Sequence, residues 1–66
     1  MNLTPRQYDV VNLMACGMSN KMIARRLGIE VCSVKVHAAG AFKKLGVSSR
    51  LQAAIAYREA HGVDRR

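Results

Sequence analysis

Residues 20–45 read NKMIARRLGIEVCSVKVHAAGAFKKL, and the spacing of their apolar side chains decides the fold. Ile23, Ala24 and Leu27 make a stripe at i, i+1 and i+4, the mark of an amphipathic helix. Gly28 follows where that helix must end in the left-handed region, which only glycine enters cheaply. Ile29 is the apolar residue that closes such a cap. Val34, Ala38, Ala41 and Leu45 then recur at spacings of four, three and four, so a second helix turns this face inward. Ala24, Gly28 and Val34 hold the spacing of a helix-turn-helix. The small side chain at 24 lets the second helix cross closely, Gly28 makes the corner, and Val34 locks the pair. Outward on the second helix stand Cys32, Lys35, Val36, Ala39 and Lys43. Such a face can enter the major groove of DNA. Plain packing is the commoner meaning of a helical hairpin, but here spacing and charge agree.

Upstream, Thr4 is placed as an N-cap, Pro5 at the first helical position and Gln7 at the third, which makes a capping box. Leu3 and Tyr8 suit a hydrophobic staple. Val10, Val11 and Met14 form the buried stripe with Leu13 beside it, and Gly17 ends the helix with Met18 closing over Leu13. Ser19 caps the next helix by a single bond, because Met22 occupies the position a Glu or Gln would need. Glu30 stands at the N-cap of the third helix, where Ser, Thr, Asp or Asn is preferred, although its charge favours the helix dipole. Gly40 lies inside that helix at a cost of about 0.5–1 kcal/mol relative to Ala. This implies close approach of another group to the backbone there, with chance substitution the alternative. Gly46 stops the helix, with Val47 folding back on Phe42. Ser49 and Gln52 form a second capping box for a fourth helix over about 50–60, which ends before Gly62 and a frayed tail at 63–66. The expectation is an all-α fold of four helices, a single domain over residues 1–66 with the helix-turn-helix core at 20–45.

Sixty-six residues leave no room for a second core, and a chain this short buries only about 60% of its unfolded surface. Half the residues are hydrophobic, which argues for a globular fold over a disordered tail. The net charge is +7, and seven of the eleven Lys and Arg lie between Lys21 and Arg50 with one acid, Glu30. That concentration fits a polyanion partner, a solvated basic surface being the plain alternative. No helix is strongly apolar on one side and basic on the other, so an anionic membrane is not expected. Cys16 and Cys32 stand sixteen apart without a C-x-x-C pair or clustered histidines, which excludes a zinc site. A reducing cytoplasm is the expected setting. The chain reaches Leu3, Thr4 and Pro5 without the apolar core of a signal peptide, and no apolar run is long enough to cross a bilayer.

LTPRQ at 3–7, ACGMSNKMIARRLGI at 15–29, SVKVH at 33–37 and KKLGVSSRLQAA at 43–54 resemble the four-helix DNA-binding domain of LuxR-type bacterial transcription regulators. NKMIARRL and VKVH look especially like the nitrate/nitrite response-regulator branch. The resemblance implies that the third helix, about 31–45, reads the major groove and that the fourth mediates dimerisation. It implies base contacts from Lys35, Val36 and position 39, which is Ala39 here where the branch carries lysine. Position 40 is Gly where a polar residue is usual, and Glu30 replaces a capping Ser or Thr. The receiver or sensing domain that normally precedes this module is not among these residues. A stand-alone regulator and an excised domain therefore both stay open.

Lys35 can donate to guanine O6 and N7 or neutralise a phosphate, and Val36 suits a thymine methyl. Lys21, Arg25, Arg26, Lys43, Lys44 and Arg50 read as phosphate contacts, joined by Ser33 and His37. No carboxylate or nucleophile is spaced to work with His37, so no catalytic residue, cofactor or metal is expected. The fourth helix carries two stripes: Leu51, Ala54, Ile55 and Arg58 on one side, Ala53, Ala56, Tyr57 and Ala60 on another. One must cover the core, and the sequence leaves open which; the first is taken as the dimer face. The expected partners are double-stranded DNA, a second copy bound weakly without DNA, and RNA polymerase as a further candidate. The competing function is an interaction module that pairs with a full-length LuxR-type regulator and antagonises it.

Overall fold

The computed structural model describes residues 2–61, the last of them by its backbone alone. Four helices, α1 (Pro5–Ala15), α2 (Asn20–Leu27), α3 (Val31–Leu45) and α4 (Arg50–His61), follow in order, with no strand among the described residues. The all-α expectation holds, and each helix lies within a residue or so of its place in the sequence pattern.

The caps explain these boundaries. Thr4 Oγ1 accepts from the Gln7 backbone N–H at 3.1 Å while Gln7 Oε1 accepts from the Thr4 N–H at 3.1 Å, so α1 opens with a complete capping box. Ser19 Oγ accepts from the Met22 N–H and starts α2 with one bond. Gly28 at φ 70° turns the chain out of α2, and the Ile29 N–H reaches back to the Ala24 carbonyl at 3.0 Å. The same bond closes α1 from Met18 to Leu13 and α3 from Val47 to Phe42. Glu30 caps α3 without a side-chain hydrogen bond.

The opening of α4 differs from expectation in one respect. Ser49 Oγ accepts from the Gln52 N–H, but Gln52 Oε1 takes its bonds from the N–H and hydroxyl of Ser48, not from Ser49. The box is displaced by a residue because a long amide can reach either of two adjacent serine donors. The expectations for Gly62 and the tail at 63–66, and for the His61 side chain, lie outside the described residues.

Helix α1 packs against the other three and divides the core between its two adjacent valines. Val10 joins Leu13, Met14, Ile23, Ala24, Val34 and Ala38, while Val11 joins Ala15, Ala41 and Tyr57. The first cluster is the helix-turn-helix itself, with Ile23 and Val34 fully buried. Truncating Ile23 to Ala costs about 2–5 kcal/mol, by the behaviour of such deletions in cores. The second cluster seats α4, with Tyr8 and Tyr57 edge to face at 6.3 Å and 74°. Burial raises the Tyr57 phenol above its ordinary value, helped by Tyr8 and then by Cys16 and Asp9.

Gly40 meets the close approach its position implied. A Cβ there would stand 2.6 Å from Gln7 Nε2, so the amide of the α1 capping box lies directly on the α3 backbone. The two stripes of α4 also separate. Ala53 and Tyr57 are buried, whereas Leu51 is 68% and Ile55 47% exposed.

Candidate nucleic-acid interface

The inward face of α3 is Val34, Ala38 and Ala41, and helical periodicity then forces Cys32, Lys35, Val36, Ala39 and Lys43 to the surface. Val36 is 69% exposed, more than any other large apolar side chain described. Because Val34 is pinned against Ile23 and Ala24, the exposed face is held rigidly by α2 across the Gly28 corner.

A groove of about 250 Å³ runs beside this face. Met14, Ala38, Ala39 and Phe42 supply its apolar lining, and Lys35 and Arg50 its cations. Alanine at 39 is part of what leaves it open. The Arg50 side chain does not swing freely. Its Nη2 donates to the Met18 carbonyl at 2.6 Å and its Nη1 to Asn20 Oδ1 at 3.1 Å, tying the start of α4 to the start of α2.

Among the described residues the one ion pair is Arg6 with Asp9, at 3.4 Å between exposed side chains. Lys21, Arg25, Arg26, Lys35, Lys43 and Lys44 are therefore exposed and unpaired, so their field falls on solvent or on a partner. Ser33 and His37, grouped with these cations in the sequence, are half-buried. The thiols of Cys16 and Cys32 are free and exposed. No helix among the described residues is long and apolar enough to cross a membrane.

Of the four residues taken as the dimer face, Leu51 and Ile55 form an open apolar pair. Ala54 packs partly against the second core cluster, and Arg58 Nη2 donates to the Ala15 carbonyl at 2.6 Å. These internal ties of Arg50 and Arg58 were missed by sequence reasoning. Helical periodicity predicts which face a residue occupies, not which carbonyl a long side chain reaches across more than thirty residues of sequence.

The sequence pattern of the luxR family of bacterial regulatory proteins matches residues 1–57. The chain belongs to the luxR family. This agrees with the resemblance carried by the four sequence stretches, including its nitrate/nitrite branch. The nitrate/nitrite response regulator NarL of Escherichia coli K12 is 51% identical over 53 residues, covering 80% of this chain and 24% of NarL. NarP of the same strain, another nitrate/nitrite response regulator, is 43% identical over 60 residues, or 91% of this chain and 28% of NarP. The transcriptional regulatory protein MctR of Rhizobium johnstonii is 39% identical over 61 residues, covering 92% of this chain and 28% of MctR. This luxR-family chain thus spans about a quarter of the length of these relatives. The family and these relatives are regulators of transcription, and luxR-family regulators bind DNA.

Proposed function

We propose that this chain is a sequence-specific DNA-binding module of a transcription regulator, with α3 lying in the major groove of double-stranded DNA. Lys35 donates to a guanine O6 and N7, Val36 lies against a thymine methyl, and Ala39 faces the bases beside them. The observation that carries this reading is the outward face of α3. An unpaired lysine stands there beside a 69% exposed valine, on a helix whose other side is locked into the core. A lone exposed valine is also ordinary on a protein surface, but beside Lys35 on this face it stands where a thymine methyl would meet it.

Phosphate contacts are drawn from Lys21, Arg25, Arg26, Ser33, His37, Lys43, Lys44 and Arg50, which position the chain and specify little. A second copy pairs through the outer stripe of α4, with Leu51 and Ile55 at its centre and Ala54 and Arg58 at its margin. An interface built on two such side chains buries less than the roughly 1,200 Å² of a stable complex. The dimer is therefore weak in solution and firm on paired half-sites, where DNA supplies a high effective concentration. RNA polymerase is the further partner, and the bacterial cytoplasm, on the nucleoid, the place of action. No catalysis, cofactor or metal enters this function.

The test is a fluorescence anisotropy titration of the chain against random duplexes and against duplexes selected from a random pool. Tighter binding to the selected duplexes supports the reading, and equal affinity for both refutes sequence readout. The open Leu51 and Ile55 pair favours a second reading, an antagonist that pairs with a full-length LuxR-type regulator. That reading predicts capture of such a regulator's DNA-binding domain with no affinity for any duplex.

A further inference from the structure

Helix α2 carries a second concavity, of about 220 Å³, lined by Met18, Met22, Arg25 and Arg26. It shares no lining residue with the groove beside Lys35. Met22 is 53% exposed, and packing does not account for it, because Ile23 and Ala24 supply the buried side of α2. Arg25 and Arg26 are exposed and make no ion pair among the described residues, and no acid lines the concavity. Two thioether side chains and two unpaired guanidinium groups therefore share one small surface.

We propose that this concavity docks an acidic segment of a partner protein that carries a large apolar side chain. The apolar anchor lies against Met18 and Met22, and the flanking carboxylates pair with Arg25 and Arg26. Charge complementarity fixes the sign of the partner, and the methionines fix its second requirement. A DNA backbone satisfies the arginines but leaves the exposed Met22 in water, whereas an acidic segment with an apolar anchor covers Met22 and the outer side of Met18, whose inner side packs on the first core cluster. Unbranched, polarizable methionines adapt to leucine or phenylalanine alike. Guanidinium forks bind carboxylates through paired hydrogen bonds. On this assignment Arg25 and Arg26 pair with the partner instead of phosphate, which leaves Lys21, Lys43 and Lys44 as the main phosphate contacts, since the Arg50 guanidinium is held by Met18 and Asn20. The docking goes beyond DNA reading and does not depend on it.

The test uses the isotope-labelled chain and two synthetic peptides, DDFDLDD and the control DDSDSDD, followed by amide chemical shifts and by anisotropy. The expected result is that DDFDLDD shifts the amides of residues 18–26 and binds about tenfold more tightly than the control, the gain from burying one apolar side chain. Met22→Gln removes that difference, yet leaves affinity for a random duplex within about twofold, as a substitution at an exposed helical position should. Equal binding of the two peptides, with shifts spread along α3, overturns the proposal in favour of unspecific charge attraction. Absence of peptide binding overturns it outright. A loss of duplex affinity in Met22→Gln matching its loss of peptide affinity assigns the surface to nucleic acid instead. Peptide binding intact in a chain that binds no duplex defeats the DNA reading and leaves this one standing.

Discussion

Gly40→Ala isolates the close approach of the α3 backbone to the Gln7 amide of α1. Inside a helix this exchange normally stabilises by about 0.5–1 kcal/mol, since alanine loses less backbone entropy. Here the new Cβ would lie 2.6 Å from Gln7 Nε2, and ordinary contact begins at 3.4 Å, so the amide must retreat by roughly 0.8 Å. That amide is not idle: its Oε1 accepts from the Thr4 N–H at 3.1 Å. Displacing it stretches or breaks one half of the capping box, and a hydrogen bond of this kind contributes about 0.5–1.5 kcal/mol. Gain and loss nearly cancel, so Gly40→Ala should leave stability close to that of the parent. In a Gln7→Ala background the obstacle is gone, and the same exchange should stabilise by the full 0.5–1 kcal/mol or so. The double-mutant cycle therefore carries a coupling of about 1 kcal/mol, or about 4–8 °C in Tm for a domain of this size. Urea and thermal unfolding of the four proteins, followed by circular dichroism, measure it. Equal stabilisation by Gly40→Ala in both backgrounds refutes the reasoning.

Three further outcomes follow from the structure. If about four phosphates are neutralised, log K for any duplex falls against log salt with a slope near −3 to −4, and a flat response excludes the basic face as a DNA contact. Leu51→Asp, at a 68% exposed position, should leave the fold intact and reduce two chains per palindromic duplex to one in sedimentation. Two chains retained on that duplex exclude the outer stripe of α4. Burial raises the Tyr57 phenol above 10.0, so the folded chain keeps that proton to higher pH than the unfolded chain does. Stability is complete below pH 10 and falls as pH climbs from there through the raised value. Tyr57→Phe should lose less stability than the parent between about pH 8.5 and about pH 10.5. Equal losses contradict the shift.

Much of the fold was legible because its signals are local. The glycines at 28 and 46 are each followed by an apolar residue that closes the cap, and Thr4 to Gln7 spells its box in four letters. Val34, Ala38 and Ala41 gave the inward face of α3, and Lys35 and Val36 its outward face, by period alone. The two stripes of α4 stayed ambiguous since alanines dominate both and a small residue suits a close contact as well as an open surface. Contact between Tyr57 and Tyr8, far apart in sequence, decides between them. The Arg50 and Arg58 ties were illegible for the same reason, as was the identity of the group that crowds Gly40. The groove beside Lys35 is lined from all four helices, so no single stretch of sequence announces it, whereas the concavity beside Met22 is lined within residues 18–26 alone.

The central claim is that Lys35 reads a guanine from the major groove. It is tested most directly by replacing single guanines of a selected duplex with 7-deazaguanine, which lacks the N7 acceptor and leaves base pairing intact. The account predicts that at one guanine per half-site this replacement weakens the parent chain by about 1–3 kcal/mol and leaves Lys35→Ala unaffected. Losses that simply add in Lys35→Ala, or a parent chain indifferent to every replacement, would contradict it.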